Sequence, residues 1–167
     1  MRSMSNKNWD SVEGVVDVGP IVIAHCDNPA KEAMLEFLQK VLLGKIPALI
    51  PVTAFLGAYH VLTRYLKLPR QEAVLALEET LDVGGPAFYE GISRVEAKNA
   101  LKIASISNLE SWDGYVVNIA REFGTRIIYT IDKHLDKKGF QPVIPIPETL
   151  LQEYHEWVKQ RRNQDNR

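Results

Sequence analysis

The chain has 167 residues, 46% hydrophobic and 25% charged, the balance of one soluble domain with a full core. Its 20 Lys and Arg nearly cancel its 21 Asp and Glu, so only a local basic surface would suit nucleic acid. A single cysteine, Cys26, excludes an internal disulfide and, with only four histidines beside it, a cysteine-rich zinc site, which fits a reducing compartment.

Residues 1–12 read as a flexible leader. Met1 to Asp10 is polar, without the apolar segment of a secretory signal, and no apolar run approaches membrane-spanning length, so a cytoplasmic protein is expected. A strand is predicted over Val15 to Val18. Asp27-Asn28-Pro29 starts a helix, with Asn28 as cap and Pro29 at its first position, burying Met34, Leu38, Val41 and Leu42 and stopping at Gly44. Ala48 to Val52 is a second strand. From Thr53 the period turns helical, and Phe55, Leu56, Tyr59, Leu62 and Leu66 form one apolar stripe. Pro69 breaks it, Gln71 to Leu81 is another helix, and Gly84-Gly85-Pro86 a loop.

Helices follow over Tyr89 to Ile106 and Trp112 to Phe123, the second ending at Gly124. Ile127 to Ile131 is a strand, and Pro142 to Ile146 a last one whose two prolines suit an edge. A final helix runs from Pro147 through Trp157. The expected domain is 13–158, with a polar tail over 159–167. Alternating strands and helices predict an α/β fold, a parallel sheet covered on both faces.

Three aspartates stand out against this frame. Asp17 closes the run Gly14-Val15-Val16, Asp113 opens the helix Ser111-Trp112-Asp113-Gly114-Tyr115, and Asp132 follows the strand Ile127-Ile128-Tyr129-Thr130-Ile131. A carboxylate leaving a buried strand points into the crevice at the strands' carboxyl ends, where open parallel sheets bind ligands. Three converging there repel one another unless a divalent cation neutralises them, which suggests Mg²⁺ or Mn²⁺. Each also has an ordinary role: Asp17 in a turn with Gly19-Pro20, Asp113 on a helix dipole, Asp132 as a cap for Lys133 to Leu135.

The order and context of these segments, over Val15 to Ile146, resemble the PIN-domain ribonuclease family, which includes VapC toxins. The matching stretches are Val15-Val16-Asp17, Ser111-Trp112-Asp113 with its small apolar sequel, and Thr130-Ile131-Asp132-Lys133. The resemblance implies a three-layer α/β/α PIN-like fold and a metal-dependent endoribonuclease. Asp17, Asp113 and Asp132 would then be catalytic and hold Mg²⁺ or Mn²⁺, with RNA as substrate, an antitoxin as partner and a homodimer as assembly. The chain departs from the family's pattern at Gly57, where a helix Glu is usual, at Val18-Gly19, where Ser or Thr is common, and at His134, where a further acid is common. Restoring a carboxylate by Gly57→Glu is expected to strengthen cleavage.

Thr130 is a candidate donor to an acidic ligand, although a β-branched residue suits a strand anyway, and His134 a candidate for proton transfer. Arg94, Lys98 and Lys102 recur every four residues as a basic stripe that would track RNA phosphates or simply face solvent. Arg64, seven residues beyond Gly57 on the same helical face, would meet a phosphate or lie free on the surface. Tyr59, Tyr65 and Leu66 mark a trial dimer surface. His25 and Cys26 read as packing residues, and His60 and His155 take no role. The alternative to a ribonuclease is a catalytically degenerate PIN-like domain that binds RNA or a protein without cleaving. Haloacid-dehalogenase-like phosphatases, which need an acid where Gly19 stands, receiver domains, which need an acidic pair at Asp17, and glycine-fingerprint dinucleotide folds fit worse.

Overall fold

Gly14–Val16 (β1) is the central strand of a five-stranded sheet, and it is buried on both faces. In a computed structural model, residues 11–165 are described, with Lys137, Lys138 and Asp165 described in backbone alone. The strand order is β3-β2-β1-β4-β5 and every pairing is parallel, with Val15 opposite Leu49 of β2 (Ala48–Pro51) and Ile128 of β4 (Ile127–Tyr129). The edges are β3 (Phe88–Tyr89) and β5 (Gln141–Val143). Pro142 therefore stands on an edge strand, as expected.

The pleat of β1 divides the core. Val15 faces α5 (Arg94–Ser107) and α6 (Ser111–Glu122), with Leu49, Ile103, Val116, Ile119 and Ile128. Val16 faces the opposite layer, built from α1 (Val18–Ala24), α2 (Lys31–Leu42), α3 (Val52–His60), α4 (Arg70–Val83) and α7 (Glu148–Asp165). Alternation of side chains across a strand thus gives two apolar layers around one sheet, the three-layer α/β/α PIN-like arrangement.

Several expected boundaries move. The first strand ends at Val16, and Asp17 caps a helix that the sequence did not announce. In α1, Val18, Pro20, Ile21, Val22, Ile23 and Ala24 are all buried, so it has no polar face and no helical period to read. Asn28 does not cap α2. Its Oδ1 accepts from Ala30 N at 2.9 Å and its Nδ2 donates to the carbonyls of Ile23 and Cys26, so it organises the connection before the helix instead.

Tyr89 belongs to a strand rather than a helix, and α5 starts at a capping box in which Ser93 and Glu96 exchange hydrogen bonds. The last helix continues past Trp157 to Asp165, with Arg161 donating to the Leu66 carbonyl at 2.7 Å. After α3 the chain passes into a π-helical turn, Val61–Tyr65. Phe55, Leu62 and Leu66 are buried, whereas Leu56 is 73% exposed, so the expected stripe is split. A buried Leu66 cannot serve the dimer surface proposed for it. The expected leader, apart from Ser11 and Val12, lies outside the described residues. Among the described residues no helix is long and apolar enough to cross a membrane.

Candidate active site

Asp17 sits where β1 leaves the sheet, and the structure fixes both of its oxygens. Oδ1 accepts from the Val18 amide at 2.7 Å, the capping bond of α1, and Oδ2 accepts from the Thr130 hydroxyl at 2.7 Å. Thr130, fully buried just beyond β4, also accepts from the Asp132 amide at 3.0 Å. One hydroxyl therefore links the exits of two neighbouring strands. Asp17 is itself only 7% exposed, an unusual place for a carboxylate.

Asp113 reaches the same point from the opposite layer, in the first turn of α6, where the helix dipole favours negative charge. Its approach depends on Gly114, since a Cβ there would run into the Ala100 carbonyl and stand 3.0 Å from the Ala104 Cβ of α5. The Asp113 and Asp17 carboxyls stand close enough for each to shift the other's ionisation. Burial, then the negative charge of Asp17, pushes the Asp113 carboxyl up to about 8. Burial also raises Asp17, against the lowering effect of its bonds to Thr130 and Val18. Two carboxylates this close disfavour each other's ionisation, and a proton held between them relieves the repulsion.

Asp132 faces the pair closely enough for its charge to raise both carboxyls, but its own bonds are local. Its Oδ1 accepts from the His134 amide at 2.9 Å and lies 2.9 Å from His134 Nδ1, and it caps the 3-10 turn Lys133–Lys138. The side chain of Asp132 is 49% exposed and that of His134 80%. The cap role and the crevice position thus coexist. The structure bonds Thr130 to Asp17, sets Asp113 near enough to share their electrostatics, and leaves Asp132 and His134 at the margin.

The donor chemistry suits a hard divalent ion, because every candidate ligand is a carboxylate oxygen and a cation would relieve the same repulsion that the shared proton relieves. Among the described residues no group of three His, Cys, Asp or Glu side chains stands arranged as a metal site. Asp17 and Asp113 are the side chains that would hold such an ion, while Asp132 Oδ1 is engaged by His134.

Gly57 corrects an expectation. It is buried, and a Cβ there would stand 2.9 Å from Val18 Cγ2 and 3.1 and 3.2 Å from Trp112 Cγ and Cδ2. The position is filled by the indole of Trp112, not left open for an absent carboxylate. A glycine is required for this close approach, which explains its place in a helix despite its low propensity.

Beyond the indole, α3, α5 and α6 enclose a groove of about 450 Å³, lined by Leu56, Gly57, His60, Leu101, Trp112 and Tyr115 among others. Trp112 and His60 meet with ring centroids 5.4 Å apart. Sequence reasoning missed both rings. The available signals were an aromatic residue directly before Asp113 and a glycine within a helix.

Arg94, Lys98 and Lys102 are exposed on α5 in the expected register, and Arg64 is exposed in the π-helical turn one turn beyond His60. None of them hydrogen-bonds the carboxylates among the described contacts. His25 is structural: Nδ1 lies 2.5 Å from the Ile21 carbonyl and Nε2 2.7 Å from Thr80 Oγ1.

No protein-family model matches the chain, and no curated protein does. Among solved structures, the crystal structure of VapC20 from Mycobacterium tuberculosis, described as a sarcin-ricin loop cleaving toxin, is similar over 78% of this chain and 98% of its own, with a TM-score of 0.58 and 14% identity. At that identity the likeness carries the fold.

Proposed function

We propose that the protein is a divalent-metal-dependent endoribonuclease. The observation that carries this reading is the buried Asp17 carboxylate at the carboxyl end of β1, held by Val18 and Thr130, with Asp113 close beside it and Asp132 facing it from beyond β4. Burying two acids side by side is costly, and the cap of α1 accounts for Asp17 but not for Asp113 beside it. Perturbed carboxyls in a crevice at strand ends mark functional sites more often than structural ones. The toxin named above lends the reading its substrate class, RNA, and the resemblance to VapC toxins adds an antitoxin as partner.

Asp17 and Asp113 would hold one Mg²⁺ or Mn²⁺, with Asp132 as a third ligand. Such an ion, when bound, supplies a water of lowered pKa and polarises a phosphoryl oxygen for in-line attack. The chain's own residues do the rest. Thr130 and the Val18 amide hold Asp17 in one rotamer, so that its free lone pairs face the crevice. The α6 N-terminus favours charge at Asp113 once its proton leaves. His134, beside Asp132 and exposed, can take up or deliver a proton at Nδ1 or Nε2. The basic stripe Arg94, Lys98 and Lys102, with Arg64, would follow the RNA backbone.

Incubation of purified protein with single-stranded RNA and Mn²⁺ tests the proposal. Cleavage leaving 5′-phosphate and 3′-hydroxyl ends, abolished by EDTA and by Asp17→Asn or Asp113→Asn, is expected. Intact RNA under all these conditions removes the enzyme reading. One observation favours the alternative, a PIN-like domain that binds RNA or a protein without cleaving: Trp112 and Val18 crowd the space beside Gly57, so a fourth carboxylate there would have to displace them.

A further inference from the structure

The groove between α3, α5 and α6 has features that the carboxylate chemistry does not use. Its lining is largely apolar, yet Leu56, Leu101 and Ile92 on its walls are 73%, 60% and 48% exposed. Trp112 and His60 present aromatic rings to it. Thr53, on the same lining, has a buried hydroxyl without a hydrogen-bond partner among the described residues. One wall is pinned, since the Tyr115 hydroxyl donates to the Gly91 carbonyl at 2.7 Å and so holds the loop bearing Ile92. The volume of about 450 Å³ falls within the range of small-ligand sites, roughly 300–1,000 Å³.

Position and charge identify the occupant. The carboxylates do not line the groove, but Trp112 precedes Asp113 and meets, beside Gly57, the Val18 that follows Asp17, so the indole is the groove's side nearest the pair. By helical register the exposed Arg94 and Lys98 stand one turn before the lining residues Ala97 and Leu101 on α5, and Arg64 one turn beyond His60, while Glu110 and Glu90 stand near Ser111 and Ile92 on the remaining side. An apolar, aromatic floor with cations along its α5 and α3 sides matches a nucleobase on its phosphate backbone better than an uncharged apolar helix. Bases stack on aromatic side chains while Arg and Lys track the phosphates.

We propose that this groove is a nucleobase subsite, in which a base of single-stranded RNA next to the phosphate at Asp17 and Asp113 stacks against Trp112. The proposal rests on the ribonuclease reading for its substrate class. Gly57 is its structural condition, because only a residue without a side chain leaves the indole lying against α3.

The test uses the full-length chain carrying Trp9→Phe and Trp157→Phe, which leaves Trp112 as the sole indole, in EDTA so that no cleavage occurs. It is titrated with a short single-stranded RNA and with an abasic ribose-phosphate strand of the same length. Quenching of Trp112 fluorescence by RNA and binding of the abasic strand about ten-fold weaker are expected. Ala97→Phe, which fills the groove, should erase that difference. If Ala97→Phe does not fold, labelled RNA binding to Trp112→Phe and Trp112→Leu substitutes for it, the first retaining base preference and the second losing it.

Equal affinity for the two strands, or no quenching, overturns the proposal. So does a dimer in sedimentation that Leu101→Arg dissociates, because the groove would then belong to a second copy. Mn²⁺-dependent cleavage, assayed separately on the wild-type chain, keeps the two readings apart. Cleavage without base preference defeats the subsite alone, and base preference without cleavage defeats the nuclease alone.

Discussion

Trp112 and Asp113 are neighbours in the first turn of α6, yet they meet opposite environments. Asp113 enters a buried polar knot in which Asp17 has two fixed hydrogen bonds and Thr130 ties β1 to β4. Trp112 packs on the bare backbone of Gly57 and opens onto an apolar groove. The polar side is set by directional bonds and the apolar side by the absence of one side chain. Charge chemistry and surface recognition can thus be separated at adjacent residues.

The polar side should break hardest. Thr130→Val keeps the shape of β4 but removes the hydroxyl that orients Asp17. Loss of such a supporting hydrogen bond typically costs about 10–100-fold in metal affinity or activity. Mn²⁺ affinity and RNA cleavage should both fall by that much, with the fold retained by circular dichroism. An unchanged Mn²⁺ affinity would show that Thr130 only packs.

The apolar side should fail sterically. Gly57→Glu gains helix propensity of about 1 kcal/mol but forces Val18 and Trp112 apart, and overpacking of this kind costs about 1–3 kcal/mol. A lower midpoint in urea without faster cleavage is expected, reversing what the sequence suggested. A stable variant with faster cleavage would show that the space beside Trp112 yields and that a carboxylate is welcome there.

A smaller effect joins the carboxyl pair to pH. The folded-state value for Asp113 is about 8, against 3.8 for the free side chain. Between these values the folded protein keeps a proton that the unfolded chain has released, so stability falls as pH rises through the window. Buried His25 has a lowered value and costs stability only as pH falls below about 6.5, the ordinary histidine value. The clean range is therefore about pH 6.5 to 8. There the metal-free protein should lose thermal stability as pH rises, and Asp113→Asn should flatten the slope. An equally steep slope in the variant would place the titration elsewhere.

The polar side was the more legible in sequence, because strand-end aspartates announce themselves by the β-branched runs before them. Asp17 and Asp132 follow such runs, Asp113 was legible only as an acid opening a helix, and β1, β2 and β4 were found where those runs lie. Helix α1 was hidden because burial all round erases the amphipathic period, and β3 because two residues, Phe88 and Tyr89, are too short to show alternation. Gly57 was visible but misread. A single glycine in a helix gives no clue whether space is empty or taken, and the answer lay in Trp112, 55 positions further along the chain. Asp132 shows a different limit, since capping a turn and facing the crevice leave the same signature.

The central claim is that Asp17 and Asp113 share a proton that a divalent ion replaces. Titration calorimetry with Mn²⁺ at pH 7, repeated in buffers of different ionisation enthalpy, counts the protons released on binding. The account predicts one ion per chain, release of about one proton, and loss of both signals in Asp113→Asn. Binding without proton release, or binding of equal strength in Asp113→Asn, would contradict it.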